Sequence, residues 1–314
     1  MKRIMYLSHA TPEVYSIIRD AVPEEFELVT LDQDSDDERR EKIARCEVVI
    51  VAATPLRKRM IDAAKRLELV HHQGVGWQDT TDHAELKQRA IPLALTPEGT
   101  TIGVAEHTVL LILAALKLLP FADSELRNGR FHVNALRPLS RELNGMTIGY
   151  IGMGRIAQAV AERLRAFGTR GIFFDPAVQT VSGLKRVSFD EVLQDADIVS
   201  LHVPLTAETR QMIGAAEIAR MKRGSYLVNT ARGGLIDEAA LESALRSGHL
   251  AAAALDVFES EPVPANYALS HLQNIVLTPH ISAGTRDALQ TKMRALFSNV
   301  QRFYRGEPVQ NRVF

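Results

Sequence analysis

His280 follows Leu277-Thr278-Pro279. Glu261 precedes Pro262 in the segment that starts Leu255-Asp256-Val257-Phe258. Arg232 lies in Val228-Asn229-Thr230-Ala231-Arg232-Gly233-Gly234. Each has a plain structural reading. A histidine after Thr-Pro can be satisfied by backbone, an arginine can bind a helix end, and the Glu259/Glu261 pair can be a solvated loop. Together they fit one chemistry. An imidazole, with an ordinary pKa of ~6.5, can give a proton to a carbonyl oxygen near neutrality. A carboxylate beside it can orient the ring and favour its charged form. A guanidinium fork matches a substrate carboxylate and can polarise the adjacent carbonyl. Proton donor, carboxylate anchor and orienting acid are what reduction of a 2-oxo acid requires, once a hydride is held at its carbon.

A hydride carrier is written elsewhere in the chain. Residues 147–157 read Thr-Ile-Gly-Tyr-Ile-Gly-Met-Gly-Arg-Ile-Ala, and a second apolar run ends at Asp175, 21 positions beyond Gly154. This predicts strand, glycine turn, helix and second strand, closed by a carboxylate. Gly149, Gly152 and Gly154 permit a tight turn and let bare backbone approach a pyrophosphate, and Ala157 stands at the third fingerprint position. The helix over about Arg155–Phe167 turns its N-terminal amides toward the same phosphates. Asp175 can accept both hydrogen bonds of an adenosine ribose. The context makes the glycine string specific for a dinucleotide, and Asp175 favours NAD over NADP.

The elements that must position these groups alternate. Strands are predicted at Arg3–Leu7, Phe26–Leu31, Val48–Ala52, Leu69–His72 and Ile91–Ala94, with Thr11-Pro12 opening a helix. Asp32–Glu41 reads as a charged, solvated approach to a helix. A long helix from Thr101 to Pro120, apolar nearly all round, is expected to be buried between two bodies, with His107 packed at their boundary. A polar arm follows from Asp123 to Glu142. Further strands are predicted at Met146–Ile151, Ile198–Val203, Ser225–Asn229, Ala252–Asp256 and Ile275–Thr278. Asp237 caps a helix closed by Gly248, and Thr285–Tyr304 forms a final helix returning to the first body. The fold class is α/β with parallel sheets. Arg232, Glu261 and His280 each follow a strand, and the carboxyl ends of strands line one crevice in such sheets.

The 314 residues suit two domains: 46% are hydrophobic, 24% are charged, and the formal net charge is −1. No basic excess points to nucleic acid. The single cysteine, Cys46, precedes Val48-Val49-Ile50-Val51 and reads as a buried thiol. The apolar run Thr108–Leu119 carries Lys117 and falls short of the ~20 residues of a membrane span, and the N-terminus does not read as a signal peptide. No membrane is expected, and the cytoplasm is the expected location. No Cys/His or paired-carboxylate spacing indicates a metal. His71 and His72 end a strand before Gly74-Val75-Gly76, and alternation lets at most one of them point to a cleft.

The nucleotide turn Gly149–Ile156, the segment Asn229–Gly233, the segment Asp256–Pro262 and Pro279-His280 resemble those of the D-isomer-specific 2-hydroxyacid dehydrogenase family. The resemblance runs from Gly74-Val75-Gly76 to the final helix. It implies two Rossmann-like doubly wound parallel-sheet domains with the active-site cleft between them. The substrate-binding domain would be discontinuous, residues 1–98 plus 286–314. The NAD-binding domain would span 99–285, with a dimerisation arm at about 120–145. Catalysis would fall to Arg232, Glu261 and His280, the following proline selecting Glu261 over Glu259. NAD would be held by Gly152, Gly154, Arg155, Ile156 and Asp175, with Val203, Pro204 and Thr209 at the adenine and ribose. Thr230, Ala231, Asp256, His280 and Gly284 would border the nicotinamide. Val75 and Gly76 would offer amides to the substrate carboxylate beside Arg232, and no metal takes part.

The implied enzyme transfers hydride between NAD(H) and C2 of a D-2-hydroxy or 2-oxo acid, as a homodimer. Candidate acids are glyoxylate, hydroxypyruvate, 3-phosphoglycerate and branched or aromatic 2-oxo acids. A phosphorylated substrate would want Arg57, Lys58 or Arg59, although a solvated helix start explains them more simply. Trp77 lies in a turn one residue longer than the usual pattern, Thr100 stands where asparagine is frequent, and Phe131 replaces a common tryptophan. The 314 residues include no counterpart of the regulatory C-terminal domain of some phosphoglycerate dehydrogenases, so feedback through such a domain is not expected. Rival readings are an NAD(H)-sensing corepressor-like binding protein and a phosphite-type dehydrogenase on the same fold. Formate-oxidising relatives place glutamine where Glu261 stands.

Overall fold

Short apolar runs of four or five residues become strands buried on both faces, because helices cover each side of a parallel sheet. The computed structural model describes all residues, Met1–Phe314, in two units: Met1–Thr100 with Ala283–Phe314, and Thr101–Ser282.

In the first unit the chain runs β1 (Lys2–Tyr6), α1 (Pro12–Arg19), β2 (Phe26–Val29), α2 (Asp36–Ile43), β3 (Val48–Val51), α3 (Lys58–Ala63), β4 (Leu69–His72), α4 (His83–Gln88) and β5 (Leu93–Leu95). The sheet is parallel, in the order β2-β1-β3-β4-β5. Every residue of β3 and β4 is buried. Cys46 is buried too, and burial pushes its thiol up to about 12. β5 begins at Leu93 rather than Ile91. Ala90 is left-handed, and the Ile91 amide still donates to Leu86.

The second unit starts at Thr101, one residue into α5 (Thr100–Leu116), which is followed by α6 (Leu119–Arg127). The single long helix expected here is broken: Leu118 is left-handed, and the axes bend by 64°. Pro120 falls in the first turn of α6, where its missing N–H is tolerated. Nor is α5 buried all round, since Ile102 and Leu110 are exposed while Val104, Ala105, Leu111 and Ile112 are buried. No single helix is long and apolar enough to cross a membrane.

The unit continues with β6 (Thr147–Ile151), α7 (Arg155–Arg165), β7 (Arg170–Phe174), β8 (Lys185–Arg186), α8 (Phe189–Asp195), β9 (Ile198–Leu201), α9 (Ala215–Arg220), β10 (Ser225–Asn229), α10 (Glu238–Arg246), β11 (Leu250–Leu255) and β12 (Ile275–Leu277). Asp237 caps α10, accepting from the amides of Ala239 and Ala240. Its sheet is parallel, in the order β12-β11-β10-β9-β6-β7-β8. Strand order reverses between β6 and β9, the topological switch point beyond which ligands bind in doubly wound sheets. Apolar cores cover both faces of this sheet, one built on Ile148, Tyr150 and Phe173, the other on Val199, Leu201 and Leu227.

The last helix, α11 (Arg286–Tyr304), packs Met293, Leu296, Phe297 and Val300 onto the first unit's sheet. The residues after it pair antiparallel with β5, where the Leu95 amide donates to the Asn311 carbonyl and the Val313 amide to that of Leu93.

Candidate active site and dinucleotide cradle

At the switch point, Gly152 closes β6 with φ +89, and a Cβ there would lie 2.7 Å from the His202 carbonyl oxygen and 2.8 Å from Val203 Cγ1. Only glycine allows this turn to seat against the loop after β9. Gly154 differs, because a Cβ on it would meet nothing within 4 Å. It is the N-cap of α7, no side chain caps the helix, and its first turn carries no acid. The amides of Arg155 and Ile156 therefore open α7 beside bare backbone, an arrangement that fits a pyrophosphate. Ala157, fully buried, provides the close helix–strand contact.

Gly149 does not belong to the turn. It lies inside β6, and a Cβ there would sit 2.7 Å from Val192 Cγ1 and Ala196 Cβ, so its role is to seat α8 on the strand. Asp175 follows β7 as expected, but its carboxylate is already engaged. Oδ2 accepts from the Met153 amide at 2.7 Å, and Oδ1 accepts from the amides of Ala177 and Val178 at 2.8 and 2.9 Å. Burial would raise this carboxyl, yet the three amides bring it below its ordinary range. Of about four acceptor positions on a carboxylate one remains, at Oδ2, where the sequence reading assigned two ribose bonds. The Thr209 hydroxyl closes its own loop, donating to the Pro204 carbonyl at 2.7 Å and accepting from the Thr206 amide.

The three chemical groups follow β10, β11 and β12. Asn229 shapes the first loop: its side-chain oxygen accepts from the Ala231 amide and its nitrogen donates to the Arg232 carbonyl. Arg232 donates from one guanidinium nitrogen to the Ala231 carbonyl at 2.8 Å. Gly233 presses on the second loop so closely that a Cβ would lie 1.8 Å from the Phe258 carbonyl carbon. In that second loop the Phe258 amide donates to Glu261 Oε1, and Glu261 Oε2 lies 2.7 Å from His280 Nδ1. The peptide bond Glu261-Pro262 is cis. Burial would raise the Glu261 carboxyl, but the hydrogen bond and charge of His280, the Phe258 amide and the charge of Arg232 together hold it below its ordinary value.

His280 itself is left-handed, with φ +52, a conformation that costs an L-residue roughly 1–2 kcal/mol. It is held by Asp256. The His280 amide donates to the Asp256 carbonyl at 2.8 Å, the Ile281 amide to Oδ1 at 3.0 Å and the Ser282 amide to Oδ2 at 2.9 Å. Asp256 is fully buried, which would raise its carboxyl, yet hydrogen bonds from His107, Thr278, Ile281 and Ser282 bring it down to about 2. The sequence reading gave Thr278 and His107 no part in the site. The ring nitrogen Nε2 of His107 lies 2.9 Å from Thr278 Oγ1 and 3.4 Å from Asp256 Oδ1. The Thr230 hydroxyl, placed by resemblance near the nicotinamide, lies 2.9 Å from that of Thr108.

Val75 and Gly76 follow β4 in the first unit, Val75 exposed, and the Gly76 carbonyl accepts from the Thr80 hydroxyl at 3.2 Å. Gly284 is exposed just before α11.

Residues 109–282 match the family described as D-isomer specific 2-hydroxyacid dehydrogenase, NAD binding domain. The chain is 38% identical over 270 residues to the D-3-phosphoglycerate dehydrogenase of Archaeoglobus fulgidus, covering 85% of this chain and 51% of that protein. It is 36% identical over 280 residues to the glyoxylate reductase of Korarchaeum cryptofilum, covering 87% and 84%. The NAD-dependent formate dehydrogenase of Staphylococcus aureus, solved in complex with NAD, superposes with a TM-score of 0.87 at 29% identity, covering 99% and 98% of the two chains. The chain spans about half the length of the phosphoglycerate dehydrogenases it matches. With a matched NAD-binding domain and a glyoxylate reductase aligned over most of both lengths, the chain belongs to the D-isomer specific 2-hydroxyacid dehydrogenase family of NAD-binding oxidoreductases.

Proposed function

We propose that this protein is an NAD(H)-dependent D-2-hydroxyacid dehydrogenase that works as a reductase of small 2-oxo acids. The observation that carries the reading is the 2.7 Å pair between His280 Nδ1 and Glu261 Oε2 on strand-end loops of a sheet that bears the dinucleotide turn. When bound, the nicotinamide supplies the hydride that reaches C2 of the acid. Gly152, Gly154, Arg155 and Ile156 hold the pyrophosphate, and Asp175 meets the ribose and disfavours a 2′-phosphate. Val203, Pro204, Thr209, Thr230, Ala231, Asp256 and Gly284 complete the cofactor's surroundings. Glu261 occupies Nδ1 of His280, so Nε2 is the nitrogen that gives its proton to the carbonyl oxygen. The Glu261 carboxylate orients the ring and stabilises the imidazolium before transfer. Arg232 binds the substrate carboxylate as a fork.

The substrate proposed is a short, unphosphorylated acid such as glyoxylate or hydroxypyruvate. The cations that would serve a phosphate are engaged elsewhere. Arg57 pairs with Asp82 and the Asp79 carbonyl, Lys58 with Asp62 and Glu85, and Arg59 with Asp36. The reading includes a homodimer in the cytoplasm. Exposed Leu119, Leu126, Phe131, Val133 and Leu139, gathered on and after α6, support the dimer.

The test is loss of NADH absorbance with glyoxylate, hydroxypyruvate and phosphohydroxypyruvate, run beside His280→Ala. Turnover of a short acid, reduced ~10²–10⁴-fold in the variant, is expected. Tight NADH binding without turnover of any acid would overturn the reading in favour of a cofactor-sensing protein.

A further inference from the structure

The loop that carries His280 is gripped at three successive amides by one buried residue, Asp256, and that residue is braced from a third element. The brace has a direction. Thr278 Oγ1 lies 2.6 Å from Asp256 Oδ1, and Asp256 is ionised, so the single hydroxyl proton of Thr278 points to the carboxylate. The threonine oxygen must then accept from His107 Nε2, 2.9 Å away, which places a proton on that ring nitrogen. The chain of donors runs from His107 to Thr278 to Asp256. The neighbouring residue on α5 repeats the device. The Thr108 hydroxyl donates to the Val104 carbonyl at 2.7 Å and accepts from the Thr230 hydroxyl at 2.9 Å, two residues before Arg232.

We propose that His107 is a positioning residue for the proton donor: acting through Thr278 and Asp256, it holds the left-handed turn that presents His280 to the substrate. The inference rests on the reading of His280 as proton donor. Removing the imidazole leaves the Thr278 hydroxyl free to rotate and withdraws a donor from a fully buried carboxylate. The amides of Ile281 and Ser282 then lose a fixed acceptor, and the His280 ring drifts without leaving the fold. Glutamine can place an amide N–H near the position of Nε2. Asparagine is one methylene too short.

Two measurements test this. In cofactor-free protein labelled with 15N-histidine, the His107 ring should be the Nε2–H tautomer, and the His280 ring resonances should move in His107→Ala but stay in place in His107→Gln. In steady-state reduction of the 2-oxo acid, kcat should fall about 10–100-fold in His107→Ala with KM for the acid within about threefold. His107→Gln should recover most of kcat, Thr278→Val should match His107→Ala, and the double variant His107→Ala/Thr278→Val should be no worse than either single one. A ring protonated only at Nδ1, a glutamine variant as impaired as alanine, or additive losses would each overturn the proposal. Should His107→Ala fail to fold, Thr278→Val, which exchanges only a hydroxyl for a methyl group, and the wild-type tautomer still decide. If the wild type reduces no acid, the functional reading fails, while the tautomer and the His280 resonances still test the positioning role.

Discussion

His71 at the end of β4 and His280 in the loop after β12 both lie at the carboxyl ends of parallel strands, and they are used in opposite ways. In the first unit His71 is fully buried, its Nδ1 at 3.2 Å from Thr96 Oγ1 and its Nε2 at 3.1 Å from the Asn299 side chain. Burial drives it down to about 3, so it is a neutral acceptor tying α11 to the sheet. His72 bonds Thr80 within the following loop. In the second unit His280 is 46% exposed, paired with a carboxylate and fixed by its backbone on a left-handed turn. A histidine whose two nitrogens are both occupied inside a core has no free nitrogen to give or take a proton. One with a carboxylate on Nδ1 and an open Nε2 side does. The glycines of the two loops differ too. Gly152 and Gly233 are required by backbone contacts, whereas Gly74 in the loop after β4 is only touched by the His72 ring.

The sharpest way to break that contrast is Gly233→Ala. Its Cβ would fall 1.8 Å from the carbonyl carbon of Phe258 and 2.0 Å from its oxygen, so two loops must part. The expected cost is at least about 3 kcal/mol of unfolding free energy, above the usual range for overpacking because the obstacle is backbone. Any folded fraction should lose about 10²-fold in kcat, since Arg232 moves relative to Glu261. Urea unfolding and steady-state kinetics check this, and a variant of wild-type stability would show the loops to be independent.

The next effect is smaller and is read by pH at His71. The unfolded chain protonates His71 below about 6.5, while the folded state resists until about 3. Its contribution is therefore complete above pH 6.5 and is lost as pH falls toward 3, about 2 kcal/mol between pH 6.5 and 5. Asp256, brought down to about 2, contributes fully above about pH 4 and loses its contribution only as pH falls toward 2. Unfolding of wild type and His71→Gln at pH 7 and pH 5 isolates the first window. Equal losses in the two proteins would mean that His71 is not the group responsible.

Much of this was legible in the chain. Apolar runs ending at glycine, arginine, glutamate or histidine located β6, β10, β11 and β12, since a buried parallel strand leaves a continuous hydrophobic signal. What stayed hidden depends on distance and on backbone. The His107–Thr278 bond joins residues 171 positions apart, and nothing local in α5 marks it. The break at Leu118 needs a left-handed leucine, which no propensity favours. β8 is only two exposed residues, too short for an alternating pattern. Gly149 read as part of the nucleotide turn because it stands three residues before Gly152 in one glycine-rich run, and only the position of α8 shows that it serves packing. Asp175 follows β7, as the strand reading has it, but its amide partners cannot be seen without the turn of Met153.

The smallest expected effect tests the permissive half of the comparison. A Cβ on Gly74 would lie 3.6 Å from Cε1 and Nδ1 of His72, an ordinary contact, and the residue does not use the left-handed region. Its carbonyl accepts from the Thr96 amide, a bond that alanine keeps. Alanine also narrows the unfolded ensemble, so Gly74→Ala should change stability by no more than about 0.5 kcal/mol in the destabilising direction and can stabilise by up to about 1 kcal/mol. Thermal unfolding measures this directly. A loss above about 2 kcal/mol would mean that the loop after β4 is held as tightly as the turn at Gly152. The contrast between a sterically open first-unit loop and a sterically locked nucleotide turn would then fail, and glycine at position 74 would need a packing reason of its own.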